Sequence, residues 1–330
     1  MSTLTPRTDR IDKNYLINGN YDFWQRIGAT QLTVTTNRAY GADRWMLFPS
    51  VTNAGSAQVI RVASTNPGSQ YDMNFGAWNV NTKCAVAQII ENANTRALQG
   101  KDVTFSTYIR STAGAFSRYE LLAWTGTADS VTAFTNAVPY TDWTTFALAA
   151  GFTSIASVSR SQAVASAYEK VVLNGTVPAN CNNLIVVMIN NNPAGQQYYA
   201  SQTQLIVGTV ADPDFSLAGR SIGHELQLCQ RYFEIGSTVG TIDSNQTTRV
   251  FMNHQYKVFK RSAPTLTCNS NFDGYANSNN LFKYEGDATT FTVSSFFNSN
   301  AVGSLLGVIF TAGAITGRFY LSELYSDAEL

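Results

Sequence analysis

Apolar and polar side chains alternate along much of this chain with a period of two, the spacing of a strand that buries one face. The clearest run is 103–110, where Val103, Phe105, Thr107 and Ile109 alternate with Thr104, Ser106, Tyr108 and Arg110. Runs at 58–63, 85–90, 119–124, 143–148, 169–173, 184–189 and 202–210 predict further strands, separated by Gly, Asn, Pro and Ser clusters. Asn174-Gly175 is expected to make a tight turn after one of them. The period changes once. Between Ser221 and Glu234, the residues Ile222, Leu226, Cys229 and Phe233 recur at helical spacing, Ser221 stands where a cap is needed and Gly236 follows, so a helix is predicted. Beyond it, 248–267, 290–297, 305–311 and 318–324 predict a second β region, with turns at Asp273-Gly274 and 277–280. No fixed-period repeat is present, which argues against a solenoid or a long parallel β-helix.

These patterns divide the chain into an arm (1–12), a large β region (13–220), a linking helix (221–235) and a smaller C-terminal β domain (236–330). The arm contains Pro6, Arg7, Asp9 and Arg10 and no apolar periodicity, so it is expected to serve for docking. Composition sharpens the fold class. Only 13% of residues are charged, against roughly 25% in ordinary soluble domains, and Asn, Thr, Ser and Gln supply the missing polarity. That exchange removes helix formers and adds turn and strand formers, so the chain is expected to be all-β. Lys+Arg and Asp+Glu both number 22, giving a net charge of +0, and no basic stripe is evident; nucleic acid is not an expected partner. The stretches 184–189 and 304–315 are too short or too interrupted for membrane insertion, and 1–10 lacks the apolar core of a signal peptide. A soluble protein made in a cytoplasm is expected, its four cysteines (84, 181, 229, 268) reduced.

Catalytic raw material is scarce. His224-Glu225 begins like a zinc-protease helix, but Leu228 stands where the second histidine belongs, and His254 is the only other histidine. No phosphate-binding loop is present, and no metal or other cofactor is expected. Asp72, Glu91, Asp129, Asp142, Asp212 and Asp214 are available for paired-carboxylate chemistry, but nothing in the sequence pairs them and solvated loop acids are the expectation. The chain is expected not to be an enzyme. Aromatic residues, at 12%, offer more: rings can stack on sugar faces while neighbouring amides bind hydroxyls. Trp78, Trp124, Tyr198 and Tyr199 are the candidate glycan-binding residues, each with core packing as the competing role.

The segment Asn14-Tyr15-Leu16-Ile17-Asn18-Gly19-Asn20-Tyr21-Asp22-Phe23-Trp24-Gln25-Arg26 resembles the NLLINGNFDIWQRG-type opening of tailed-bacteriophage tail and virion appendage proteins. Ala42-Asp43-Arg44-Trp45 is similar to the ADRW element that follows there, and 88–106 to a further segment of that family. Residues 225–233 (ELQLCQRYF), Pro264-Thr265 and the closing 327–330 (DAEL) resemble its helix and C-terminal end. The matches run in the family's order from residue 14 to 330. Before the helix the chain departs from the pattern, with 204–209 (QLIVGT) and 213–216 (PDFS) lacking the glutamates of many relatives. The resemblance implies a jelly-roll, carbohydrate-binding-module-like β-sandwich followed by a smaller β-sandwich domain, a place on the exterior of a phage virion, and a homotrimer. The expected function is then a tail fibre or receptor-binding appendage that adsorbs to host-surface glycans, with 1–12 attaching it to other virion proteins. The alternative is a capsid decoration or head-fibre protein that stabilises or extends the virion without a host ligand.

Overall fold

A computed structural model describes residues 14–28, 30–34, 38–49, 57–77, 83–111, 115–131, 140–142, 145–191, 197–217, 220–241, 249–254, 256–262, 264–268, 271–272, 275–276, 281–284, 287–297, 304–310 and 318–329. The chain separates into two compact units, with the division between Glu225 and Leu226. In the first unit the elements are β1 (Leu32–Val34), β2 (Ala39–Tyr40), β3 (Met46–Pro49), β4 (Ala57–Ala63), β5 (Tyr71–Ala77), β6 (Cys84–Ile89), the single-turn helix α1 (Asn92–Thr95), β7 (Asp102–Arg110) and β8 (Phe116–Trp124). They continue with β9 (Tyr140–Asp142), β10 (Ala147–Leu148), β11 (Phe152–Ser161), β12 (Glu169–Thr176), β13 (Asn183–Asn190) and β14 (Gln197–Val207).

Two six-stranded antiparallel sheets result, one in the order β1-β4-β5-β14-β7-β12 and the other β11-β8-β13-β6-β3-β2. The chain passes repeatedly between them, and the unit is the expected jelly-roll β-sandwich. The alternation explains its core. Val59, Met73, Phe75, Val103, Phe105, Ile109, Val171, Leu173, Tyr198 and Leu205 of the first sheet pack against Val86, Tyr119, Leu121, Leu184, Val186 and Met188 of the second. The strand β13 reads Asn-Leu-Ile-Val-Val-Met-Ile-Asn and is buried on both faces, because the second sheet has a further core outside it. There Ile185, Val187 and Ile189 meet Val131, Tyr140, Phe146 and Leu148 from the chain around β9 and β10. Trp124 closes this outer core beside Phe152, with ring centroids 4.8 Å apart.

Most predicted strands lie within a few residues of observed ones. Three local readings do not survive, one of them the run 248–267, which is observed as two separate strands, Arg249–His254 and Thr265–Cys268. Asn174 and Gly175 lie inside β12, opposite Thr104 and Val103, and the Asn174 amide oxygen accepts a hydrogen bond from Thr104 Oγ1 at 2.6 Å; pairing with β7 overrides the turn preference of the dipeptide. Trp143 lies outside the described residues, and 140–148 forms two short strands rather than one.

The segment with the family-like opening is clamped at the end of the sandwich. Ile17 and Gln88 exchange two hydrogen bonds, of 2.7 and 2.8 Å. Asn18 donates its side-chain amide to the Phe23 and Asp43 carbonyls, and its own carbonyl accepts from Trp45 Nε1 at 3.1 Å. Arg44 reaches the Ile89 carbonyl at 2.7 Å. The Asn18 N–H donates to Glu225, which pairs with Arg220 at 2.8 Å, and Arg220 in turn holds the carbonyls of Asn14 and Leu16. A side chain at Gly19 would collide with the Thr203 carbonyl, so the chain can lie there only as glycine. The stretch before the helix is held by Gln204, whose side-chain amide donates to the Asp214 carbonyl at 2.8 Å and accepts from the Ser216 N–H at 3.1 Å.

In the second unit the helix α2 (Ile222–Gln230), whose first turn belongs to the sandwich, leads into β15 (Phe233–Thr241), β16 (Arg249–His254), β17 (Thr265–Cys268), β18 (Asn271–Phe272), β19 (Tyr275–Ala276), β20 (Leu281–Tyr284), β21 (Asp287–Phe297), β22 (Ser304–Phe310) and β23 (Arg318–Asp327). Ser221 caps the helix as expected, its hydroxyl accepting from the His224 N–H at 3.2 Å. The helix ends four residues short of the predicted limit, and Phe233 and Gly236 belong to β15. Seven of these strands form one sheet ordered β15-β16-β22-β21-β20-β23-β17, while β18 and β19 pair separately. Because β15 also pairs with β23, six of these strands close on themselves, which removes their free edges. Lys260 is fully buried here between the Gln230 carbonyl at 2.5 Å and Glu234 at 2.9 Å. No helix among the described residues is long and apolar enough to cross a membrane.

Candidate functional site

The outer face of the first sheet differs in kind from that of the second. Strand register sets its rows. Ile60, Asn74, Tyr199 and Arg110 lie side by side across β4, β5, β14 and β7, and Tyr168 follows just before β12. The next row holds Val62, Asp72, Ser201, Tyr108 and Lys170. Aromatic, amide, hydroxyl and charged groups therefore share one surface, while Tyr71, Met73, Phe75, Tyr198 and Ala200 alternate with them on the opposite face.

Asp72 is at the centre. It is fully buried, although it lies on the outward face of β5, because Tyr168 and Arg110 close on it. The Tyr168 hydroxyl donates to Asp72 Oδ2, and Arg110 Nη2 stands 3.6 Å from the same oxygen. The Arg110 guanidinium carbon lies 3.9 Å from the Tyr199 ring centroid and 5.3 Å from that of Tyr168. Such cation–π contacts are each worth about 0.5–2 kcal/mol, depending on how well water is excluded. Gln197 Oε1 accepts from Asn74 Nδ2 and from the Tyr199 hydroxyl, both at 2.9 Å. Lys170 pairs with the exposed Asp212 at 2.5 Å and stands 5.4 Å from the Tyr108 ring.

Two buried polar atoms of this cluster are left over. Asp72 Oδ1 and Arg110 Nε make no hydrogen bond among the described residues, and nor does the neighbouring Gln58 Oε1. A buried polar atom without a partner costs about 1–3 kcal/mol, and more where the group is charged. Among the described residues, the face thus holds an acceptor and a donor without partners, in a setting of tyrosine rings and amides.

Of the three candidate aromatic residues that are described, Trp124, Tyr198 and Tyr199, this face contains Tyr199 alone. Tyr198 is 1% exposed and stacks on Phe75 in the sandwich core at 5.9 Å. Trp124 is 7% exposed, enclosed by Gly126 and Gly151, with its indole N–H donated to the Thr127 carbonyl at 2.9 Å. Neither ring has an open face for a sugar, and both are corrected to packing residues. Trp78, like Pro6, Arg7, Asp9 and Arg10, lies outside the described residues. Among the acids, Asp129 accepts from the Asn92 N–H and Asn183 Nδ2, each at 2.8 Å, and Glu91 is 4% exposed. Sequence reasoning named Asp72 only among acids expected to be solvated in loops, which its full burial on β5 corrects, and did not single out Arg110, Tyr108 or Tyr168 as site residues. The signal for the first three was present in the two-residue alternation, which puts Asp72 opposite Met73 and Tyr108 opposite Ile109; Tyr168 is in a loop and carries no such signal.

No family model and no curated protein matches the sequence. Among solved structures, the chain is similar to TmCBM61 in complex with β-1,4-galactotriose, with 10% identity over 59% of this chain and 99% of that one, and a TM-score of 0.36. It is also similar to the family 16 carbohydrate binding module-2, at 10% identity over 45% of this chain and 84% of that one, with a TM-score of 0.30. The enzymatically active domain of tailspike protein 4 from bacteriophage CBA120 shares 11% identity over 59% of this chain and 21% of that one, with a TM-score of 0.35. Likenesses of this size carry no argument, and the reading of function below rests on the residues of the first sheet.

Proposed function

We propose that this protein is a non-catalytic bacteriophage virion appendage that adsorbs to host-surface glycans through the outer face of its first sheet. The observation that carries the glycan reading is the Asp72 cluster: an unsaturated acceptor and donor set among Tyr108, Tyr168, Tyr199, Asn74 and Gln197. Sugar hydroxyls both donate and accept, and tyrosine rings and amides supply the rest of what a pyranose needs. What supports the virion reading is the set of motifs in family order from Asn14 to Leu330. The segments that carry the resemblance, 14–26, 42–45, Gln88 and Glu225, meet in one clamp and so act on the fold of the unit rather than on its ligand.

On this reading the protein is a homotrimer attached through residues 1–12 at the exterior of the particle, and weak binding at each site is multiplied by the number of sites that engage together. The test is adsorption. Purified protein is expected to bind host cells and a glycan array and to compete with phage for attachment. Tyr199→Ala and Asp72→Asn are each expected to reduce that binding at least tenfold with the melting temperature kept. Gold-labelled antibody is expected to decorate the tail of intact particles. Blank arrays together with blank cell binding would overturn the glycan reading, and a regular lattice of label on the capsid would support the decoration role instead.

A further inference from the structure

We propose that the Asp72 site takes an uncharged sugar ring through two adjacent hydroxyls, and that Tyr168 stands in for one of them when no sugar is bound. The inference rests on the glycan reading above and gives it a ligand class. A phenol hydroxyl donating to a carboxylate is the same interaction that a sugar hydroxyl would make, and Tyr168 makes it with Asp72 Oδ2. Among the described residues, the second oxygen of Asp72 and Arg110 Nε remain as an acceptor and a donor beside it. A vicinal diol matches that pair, one hydroxyl donating to the carboxylate while its neighbour accepts from the guanidinium.

The charges of the face argue against an acidic sugar. Arg110 is engaged by Asp72 at 3.6 Å and by the Tyr199 ring, and Lys170 by Asp212 at 2.5 Å. A uronate or sialate placed here would bring its carboxylate towards Asp72 with both cations already engaged. The backbone around Tyr168, by contrast, is fixed. Glu169 Oε1 accepts from the Ala163 N–H at 2.7 Å, the Val164 N–H at 3.1 Å and Gln162 Nε2 at 2.9 Å, and the Ser166 N–H donates to the Ser111 carbonyl at 2.9 Å. With the loop pinned on both sides of it, rotation of the Tyr168 side chain alone opens the carboxylate, a motion that needs no loop refolding.

The experiment compares wild type, Tyr168→Phe and Asp72→Asn on an array of neutral hexose and N-acetylhexosamine oligosaccharides beside uronic-acid and sialylated ones. The best neutral binder is then retested after methylation of each ring hydroxyl in turn. Neutral sugars alone are expected to bind. Tyr168→Phe, which removes the competing hydroxyl, is expected to tighten binding about tenfold, and Asp72→Asn to weaken it at least tenfold. Methylation of two neighbouring hydroxyls is expected to abolish binding, and of the others to leave it. Preference for acidic sugars, or weakening by Tyr168→Phe, overturns the inference while the glycan reading stands. Binding that Asp72→Asn leaves unchanged moves the site elsewhere on the protein. Silence of wild type and Tyr168→Phe across the whole array overturns both readings. Equal melting temperatures for the three proteins exclude a folding defect as the cause of any loss.

Discussion

Asn18 is bonded in several directions at once, to Phe23, Asp43, Trp45 and Glu225, and the last of these contacts shows what single residues do here. Glu225 is 1% exposed and joins the clamp at the end of the sandwich to the helix that follows. Glu225→Ala leaves Arg220 and the Asn18 N–H without their shared acceptor, so a loss of about 3–5 kcal/mol is expected, read from urea denaturation of the purified protein. Burial also sets thiol chemistry. The Cys84 thiol is pushed up to about 12 and that of Cys181 to about 11, both by removal from water. Thiol labelling of the folded protein at about pH 8, mapped by mass spectrometry, is therefore expected to miss both residues, and labelling after guanidinium to reach them.

At the scale of elements, what matters is which face a strand or helix presents. The alternation in β7 was readable from the sequence, and the structure puts Val103, Phe105 and Ile109 in the core as that alternation requires. The helix was readable as a helix, but its buried side was not. Ile222 is 57% exposed, whereas Glu225, Cys229 and Gln230 are buried. Hydrophobic spacing favours Ile222 and has no means of finding a buried acid whose partners, Arg220 and Asn18, come from other elements. Ile222→Ser is accordingly expected to change stability by no more than about 0.5 kcal/mol in the same denaturation assay. The outer face of the second sheet behaves oppositely. Tyr140, at 1% exposure, seals its apolar residues, and Tyr140→Ala is expected to cost about 3–5 kcal/mol and to raise binding of an apolar dye. One sheet thus has its outward face spent on packing, and the other has a polar, aromatic face open to chemistry.

For the whole molecule, pH links these features to stability, unit by unit. In the first, burial raises the Glu225 carboxyl above the ordinary glutamate range, against the pull of Arg220 and the Asn18 N–H. Its contribution is then fully present below the ordinary glutamate value and is lost as pH rises through the folded one. Denaturation at a series of pH values is expected to give wild type a steeper loss than Glu225→Gln as pH rises above the ordinary glutamate range. In the second unit burial lowers the Lys260 ammonium, partly offset by Glu234. That contribution is present above the ordinary lysine range and lost as pH falls through the folded value. The sequence by itself determined that the chain is built from strands with one helical interruption, because periodicity and composition are local properties that each segment carries alone. The register between strands far apart in the chain was decided only in three dimensions. That register separated Tyr199 from Tyr198, buried Trp124, and brought Asp72, Arg110 and Tyr168 onto one face from three distant segments.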